Sequence, residues 1–231
     1  MIISHRLESI AKMVDSVESI IDVGTDHGYL PIYLISKDIT NKVIASDINK
    51  GPVEKAKYNI NKENLQDKIE CRLGGGLTTI KTNEVDAVVI AGMGGNLIKD
   101  ILEESIDLVK KMEYLIFQPV QNPEVLRKYI YENKYEVLDE ELCYDEGKYY
   151  EIIKVRYNES KIIEFNQEVF YLIGEKLIQK KHPLVKEYIG FRINKYKNIL
   201  DFIQDTGETS IQRKKQLLYY IEGLKEMLKC L

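Results

Sequence analysis

Two carboxylates, an imidazole and two glycines stand within one short stretch of this chain: Asp22, Gly24, Asp26, His27 and Gly28. Residues 19–23 lead into them with an apolar run, and Pro31 follows where a helix can start. That layout is a strand delivering a tight loop to a helix N-terminus, where backbone donors can hold a ligand. A nicotinamide fingerprint reads G-x-G-x-x-G, but here Asp26 takes the second glycine's place. A carboxylate facing a pyrophosphate is repulsive, so the loop suits a ligand without phosphates. Asp22, at the strand's end, suits a cationic amine, and Gly24 lets a ligand approach the backbone closely.

Asp47 closes the next apolar run, 25 residues after Asp22. A carboxylate there can accept both hydroxyls of a ribose; its other reading is a helix cap, with Gly51 and Pro52 close behind. Gly74, Gly75 and Gly76 follow the third run and permit backbone approach to a flat ring such as adenine. The sequence Ala91, Gly92, Met93, Gly94, Gly95 follows the fourth run, and Gln118 and Pro119 follow the fifth. Ligands bind at the carboxyl ends of strands in open α/β sheets, so all five loops converge on one crevice. A ligand with a ribose, an amino-acid end and no phosphate is S-adenosylmethionine. His27 reads as a base, a substrate contact or a supporting hydrogen-bonding group, and Tyr29 as core or as a stacking platform.

The elements that must position these groups follow from hydrophobic periodicity. Residues 20–24, 42–47, 69–73, 86–91 and 114–117 are short and strand-like, and helical stretches at 52–64, 97–104 and 124–133 lie between them. Such alternation predicts a parallel sheet with helices on both faces, and the near-continuous apolar run at 86–91 suits a strand buried on both sides. Residues 135–144 and 148–157 read as an antiparallel hairpin turning at Asp145, Glu146 and Gly147. A dehydrogenase half would continue with parallel strands instead. From Phe165 onward the signals are helical. Phe165, Val169, Leu172, Ile173 and Leu177 share one helix face, and Pro183 breaks that helix and starts the next. Ile189, Ile193, Tyr196, Leu200 and Ile203 form a coiled-coil seam. After a turn at 205–208, Ile211, Leu218, Ile221, Leu224, Lys225 and Leu228 continue it, so the two helices should fold back as a hairpin.

Composition narrows the class. The 231 residues are 44% hydrophobic and 30% charged, as in a soluble globular protein of one ordinary domain plus a smaller one. No signal-peptide core stands in residues 1–12 and no long apolar run spans a membrane, so a cytoplasmic protein is expected. Cys71, Cys143 and Cys230 match neither a disulfide framework nor a zinc spacing, which predicts reduced thiols and no metal. Residues 1–159 carry 20 Lys/Arg against 28 Asp/Glu, whereas residues 160–231 carry 13 against 9. A basic segment attached to an acidic one is consistent with an anionic partner.

With these residues in view, the chain resembles the bacterial tRNA (adenine(22)-N1)-methyltransferase family, TrmK. The resemblance rests on Ser4, Arg6 and Leu7, on the run from Asp22 through Thr25, Asp26, His27 and Tyr29 to Pro31, on Ala45 to Ile48, on Ala91 to Gly95, and on Gln118 with Pro119. It implies an α/β fold: a Rossmann-like class I methyltransferase sheet of seven strands, the last antiparallel, with a C-terminal helical coiled-coil hairpin. Residues 1–159 would be the S-adenosylmethionine-dependent domain and 160–231 the helical domain that contacts tRNA. The implied reaction is methyl transfer to N1 of adenine 22, leaving S-adenosylhomocysteine. Asp22, Gly24, Thr25, Asp26, His27, Asp47, Ile48, Asn49, Gly75, Gly76, Ala91, Gly92 and Met93 would surround the cofactor, with Asp26 and His27 the catalytic candidates. Arg6, Tyr29, Gln118, Pro119, Lys180, Lys181, Lys195, Lys197, Arg213, Lys214 and Lys215 are the candidate tRNA contacts. One position departs: some relatives carry an acidic residue where this chain has Gly75, so backbone groups would have to hold the adenine amino group. A monomer is expected. The competing readings are a methyltransferase of another RNA base, a degenerate RNA-binding protein, and a nicotinamide-dependent oxidoreductase, which lacks its fingerprint here.

Overall fold

The apolar runs of the first 160 residues become the strands of one seven-stranded sheet, in a computed structural model that describes residues 3–205 and 207–231. Met1, Ile2 and Thr206 of the expected turn lie outside the described residues. The chain divides into two units, Met1–Glu164 and Phe165–Leu231. The first runs α1 (His5–Lys12), β1 (Val17–Val23), α2 (Tyr29–Ser36), β2 (Thr40–Asp47), α3 (Lys50–Lys62), β3 (Ile69–Leu73), β4 (Ala87–Gly94), α4 (Gly95–Glu104), α5 (Ile106–Val109), β5 (Tyr114–Gln121), α6 (Pro123–Glu132), β6 (Tyr135–Asp145) and β7 (Lys148–Tyr157).

The strand order is β3-β2-β1-β4-β5-β7-β6, with β1 to β5 parallel and β7 inserted antiparallel between β5 and β6. Ala87, Val88, Val89 and Ile90 are all fully buried, as strand residues covered by helices on both faces must be. Strand order reverses between β1 and β4, and the crevice outside their carboxyl ends is where such sheets bind ligands. The β6–β7 hairpin closes through Glu146 and Gly147, both at positive φ (47° and 79°), the tight turn whose twist matches its strands.

Two expected loops are strand instead. β4 runs through Met93 to Gly94 and β5 runs through Pro119 to Gln121, with register shifts flanking Met93 where it pairs with Pro119. Glycine and proline read as loop residues, yet an irregular ladder tolerates both: Gly92 supplies φ +80°, and Pro119 sits where pairing is already broken.

In the second unit the helix expected from Phe165 to Leu177 is two short pieces, a 3₁₀ turn (Glu168–Tyr171) and α7 (Glu175–Gln179). Gly174, in extended conformation, separates them, while Val169, Leu172, Ile173 and Leu177 are all buried as the pattern required. α8 (Val185–Phe202) starts two residues after Pro183 and buries Ile189, Ile193 and Tyr196. α9 (Glu208–Lys229) packs on α8 through Leu217, Ile221 and Leu224. Ile211 and Leu218 are exposed, so the buried stripe passes through Leu217 and not its neighbour. A Cβ on Gly223 would stand 2.5 Å from Val169 Cγ2, so the 3₁₀ turn sits directly on α9. Among the described residues no helix is long and apolar enough to cross a membrane, and Cys71, Cys143 and Cys230 are free thiols.

Candidate active site

The loop after β1 is built from opposed demands on one glycine. Gly24 has φ +81°, a conformation that disfavours any residue with a Cβ, and the Met93 side chain from the β4 end lies against it. Its amide and that of Thr25 both donate to the Ser46 carbonyl of β2, at 2.8 and 2.9 Å. Those two donors, expected to face a ligand, therefore brace the loop against the next strand. Gly28, at φ +70°, caps α2 and packs on Ala56 of α3, bringing both helices close behind the loop.

Asp22 is buried just before this turn, 7% exposed. Burial pushes its carboxyl up to about 6, against the pull of the Thr25 hydrogen bond and the Arg6 charge, with Asp47 adding a little in the same direction as burial. Asp26 is exposed, and its carboxylate lies 3.3 Å from His27 Nε2. The His27 ring stacks on Tyr29, centroids 5.1 Å apart and 10° from parallel, while its carbonyl accepts from Asn59 Nδ2 at 2.9 Å. Tyr29 is 41% exposed, which makes it the outer plate of a stack rather than core.

The cleft has two lobes. One, about 590 Å³, is lined by Asp47, Ile48, Asn49, Gly75, Gly76, Gly92 and Met93. Asp47 accepts from the Asn49 amide at 2.7 Å, a local turn ahead of α3 that fixes the carboxylate at the lobe's edge, while α3 itself has no side-chain cap. A Cβ on Gly75 would stand 3.3 Å from Ile48 Cδ1, and Ile48 is itself 71% exposed over the lobe. The other lobe, about 440 Å³, is lined by Asp22, Thr25, Asp26, His27, Tyr29 and Arg6. Gly24 and Ala91 line both, so the lobes meet at the ends of β1 and β4. Every residue expected to surround the cofactor lines one lobe or the other.

The expected RNA contacts separate. Gln118 and Pro119 are buried, and Gln118 accepts from Arg6 Nη1 at 2.6 Å, so neither offers a surface to RNA. Arg6 is half-buried in the second lobe, with its guanidinium 5.6 Å from the Tyr150 ring centroid. Lys180, Lys181, Lys195, Lys197, Arg213 and Lys215 are exposed on the second unit, and Lys214 is half-buried.

Sequence reading missed Asp145, Glu146 and Tyr150, which the hairpin carries to the second lobe. Asp145 Oδ2 accepts from the Arg6 amide at 2.9 Å, across 139 residues of chain. It also missed Leu97 and Glu104 of α4, which line the first lobe. Leu97 lay inside a stretch read as helix, where periodicity alone does not separate a pocket wall from core.

Comparison with known proteins agrees with this geometry. A family model described as a methyltransferase domain matches residues 3–153. The tRNA (adenine(22)-N(1))-methyltransferase of Bacillus subtilis (strain 168) is 31% identical over 230 residues, covering 98% of this chain and 97% of that one. The crystal structure of the B. subtilis M1A22 tRNA methyltransferase TrmK superposes with a TM-score of 0.86 at 31% identity, covering 98% of this chain and 99% of the other. Streptococcus pneumoniae Sp1610, in complex with S-adenosyl-L-methionine, gives 0.86 at 30% identity, covering 98% and 100%.

Proposed function

Since the chain belongs to the methyltransferase-domain family and, within it, to the tRNA (adenine(22)-N1)-methyltransferases, we propose that it methylates N1 of adenine 22 in tRNA with S-adenosylmethionine as donor. The observation that carries the reading is the pair of lobes meeting at Gly24 and Ala91. One suits a nucleoside, with Asp47 toward the ribose and the open glycines toward the adenine; the other suits an amino acid and a target base. Bound there, the cofactor supplies an electrophilic methyl group on sulfur.

What the protein contributes is placement. The end of β4, from Ala91 to Gly94, has no acceptor side chain to polarise an exocyclic amine. Adenine N1 has an in-plane lone pair and attacks without losing a proton, so holding it in line supplies most of the rate. The product base is a cation, and the Asp26 carboxylate at the mouth of the cleft favours positive charge as it develops. N1 lies on the pairing edge, so the adenine must enter unpaired or extruded, and the exposed Tyr29 ring backed by His27 is a plate on which it stacks. The exposed lysines of the second unit take the tRNA backbone. The protein acts as a monomer in the cytoplasm.

Mass spectrometry of tRNA incubated with the protein and isotopically labelled cofactor tests this. One methyl group at N1 of adenine 22 is expected; label at another base, or none, overturns the reading. Asp26→Asn should lower turnover, and an unchanged turnover and cofactor affinity would remove Asp26 from both roles.

A further inference from the structure

On the reading that this protein methylates an adenine of tRNA, we propose that the outer face of α3 is an RNA contact built into the first unit, holding the strand that flanks the target base. Residues 1–159 carry 20 Lys/Arg against 28 Asp/Glu, yet α3 carries four lysines and one glutamate in its 13 residues. α4, whose Leu97 and Glu104 line the first lobe, carries one lysine against three acids. The two helices pack on different parts of the sheet, α3 on β2 and β3, α4 on β4 and β5. A polyanion approaching the cleft is therefore drawn toward α3 and repelled by α4.

Most of the charge on α3 is uncommitted. Lys50 pairs with Glu54 at 3.5 Å, but among the described residues Lys55, Lys57 and Lys62 make no ion pair. All three are exposed. Glu63, the acid that follows, stands past the end of the helix at its C-cap.

Placement says what the free cations face. Lys55 and Lys62 stand four residues before and three after Asn59, which makes them its neighbours along one row of the helix, about 5–6 Å away between Cβ atoms. Asn59 Nδ2 donates to the His27 carbonyl at 2.9 Å, and Gly28 packs on Ala56 one turn before. The two lysines thus bracket the point where α3 holds the loop that carries Tyr29, the plate offered to the target adenine. Tyr58 lies on the outward face between them and is 69% exposed. An exposed ring alone needs no explanation. A ring bracketed by two unpaired cations, beside the loop that receives a base, has the composition of a nucleic-acid surface: lysines for phosphates and an aromatic face for a stacked base.

Binding of tRNA across a range of salt concentrations tests the contact, with S-adenosylhomocysteine affinity and thermal midpoint as controls for an intact first unit. The double variant Lys55→Ala, Lys62→Ala should bind tRNA more weakly and flatten the log–log salt slope by about 0.7–0.9 for each lysine. Lys57→Ala removes the same charge off the row and should leave the slope where it was. Tyr58→Ala should weaken binding by about 5- to 50-fold with the slope unchanged, because stacking releases no counterions, and Tyr58→Phe should restore it. A double variant with wild-type affinity and slope overturns the proposal. So does a Lys57→Ala slope as flat, per charge, as that of the double variant, which would reduce the effect to net charge. Equal losses for Tyr58→Ala and Tyr58→Phe overturn the stacking role. A wild-type protein that neither binds nor methylates tRNA removes the tRNA reading itself, a result distinct from failure of the α3 contact.

Discussion

Gly95 packs so closely on Asn122 that a Cβ would stand 2.3 Å from the Asn122 carbonyl oxygen. The first residue of α4 is thereby pressed on the backbone that leaves β5, which fixes where the β4 end sits in the cleft. Backbone cannot swing aside as a side chain can. Gly95→Ala should destabilise the protein by about 1–3 kcal/mol, whereas Gly94→Ala, with open space around it and φ −71°, should change stability by no more than about 0.5 kcal/mol. Thermal denaturation of the two variants checks the contrast, and equal midpoints would contradict it.

Asp22 sets a pH dependence with two opposite signs. Its folded value of about 6 is raised from 3.8, so between these values the unfolded chain loses a proton that the folded chain keeps. Stability therefore declines as pH rises from about 4 to 6 and is level above, a total of about 3 kcal/mol at 1.36 kcal/mol per unit. Asp22→Asn should match the wild type near pH 4 and exceed it at pH 8. Binding of the cofactor's ammonium needs the ionised form, so S-adenosylhomocysteine affinity of the wild type should fall below about pH 6. Urea titrations and calorimetry across pH 4 to 8 read both arms.

Arg127 is fully buried between Glu140 and Glu151, at 3.0 and 2.6 Å, and ties α6 to β6 and β7. Arg127→Met leaves two buried carboxylates facing one another without their cation. A loss of about 3–5 kcal/mol is expected, with much of it recovered when Glu140→Gln and Glu151→Gln are added. Urea denaturation of the single and triple variants decides; a single variant within about 1 kcal/mol of wild type would show that the cluster contributes little.

Replacing Lys180, Lys181, Lys195, Lys197, Arg213 and Lys215 by alanine should weaken tRNA binding and flatten its salt dependence, by about 0.7–0.9 in the log–log slope per lost phosphate contact. Cofactor affinity should not move, since none of these residues lines either lobe. A slope that stays at its wild-type value counts against the helical unit as the RNA contact.

The centre of the sheet was legible in the sequence because β4 and β5 are buried on both faces over their first halves and so read as apolar runs. β3 matches its expected bounds to the residue. Where chemistry interrupts the pattern, legibility stops: Gly92, Gly94 and Pro119 read as loop, although the ladder continues through them. In the second unit Ile221 and Leu224 of the expected α9 stripe are buried, but Leu217 takes the place expected for Leu218, an equally apolar neighbour. The residues that line the two lobes were readable because each sits at or just after a strand end in local sequence. Asp145 and Tyr150 were not, because nothing local distinguishes a hairpin residue that reaches Arg6 from one that faces water.

That contact between Arg6 and Asp145 spans most of the first unit and has a consequence for how the molecule is made. A ribosome releases the β1 loop and the glycines of β4 long before it releases β7, yet the second lobe lacks a wall until the hairpin has returned to the N-terminal helix. Ligand recognition is thus deferred to the end of folding, when the hairpin meets the N-terminal helix across 139 residues of chain. A nascent or truncated chain ending before residue 145 has the β1 loop but not the hairpin wall of the second lobe, and the free energy of cofactor binding is available only to a completed domain, which it then stabilises as a whole.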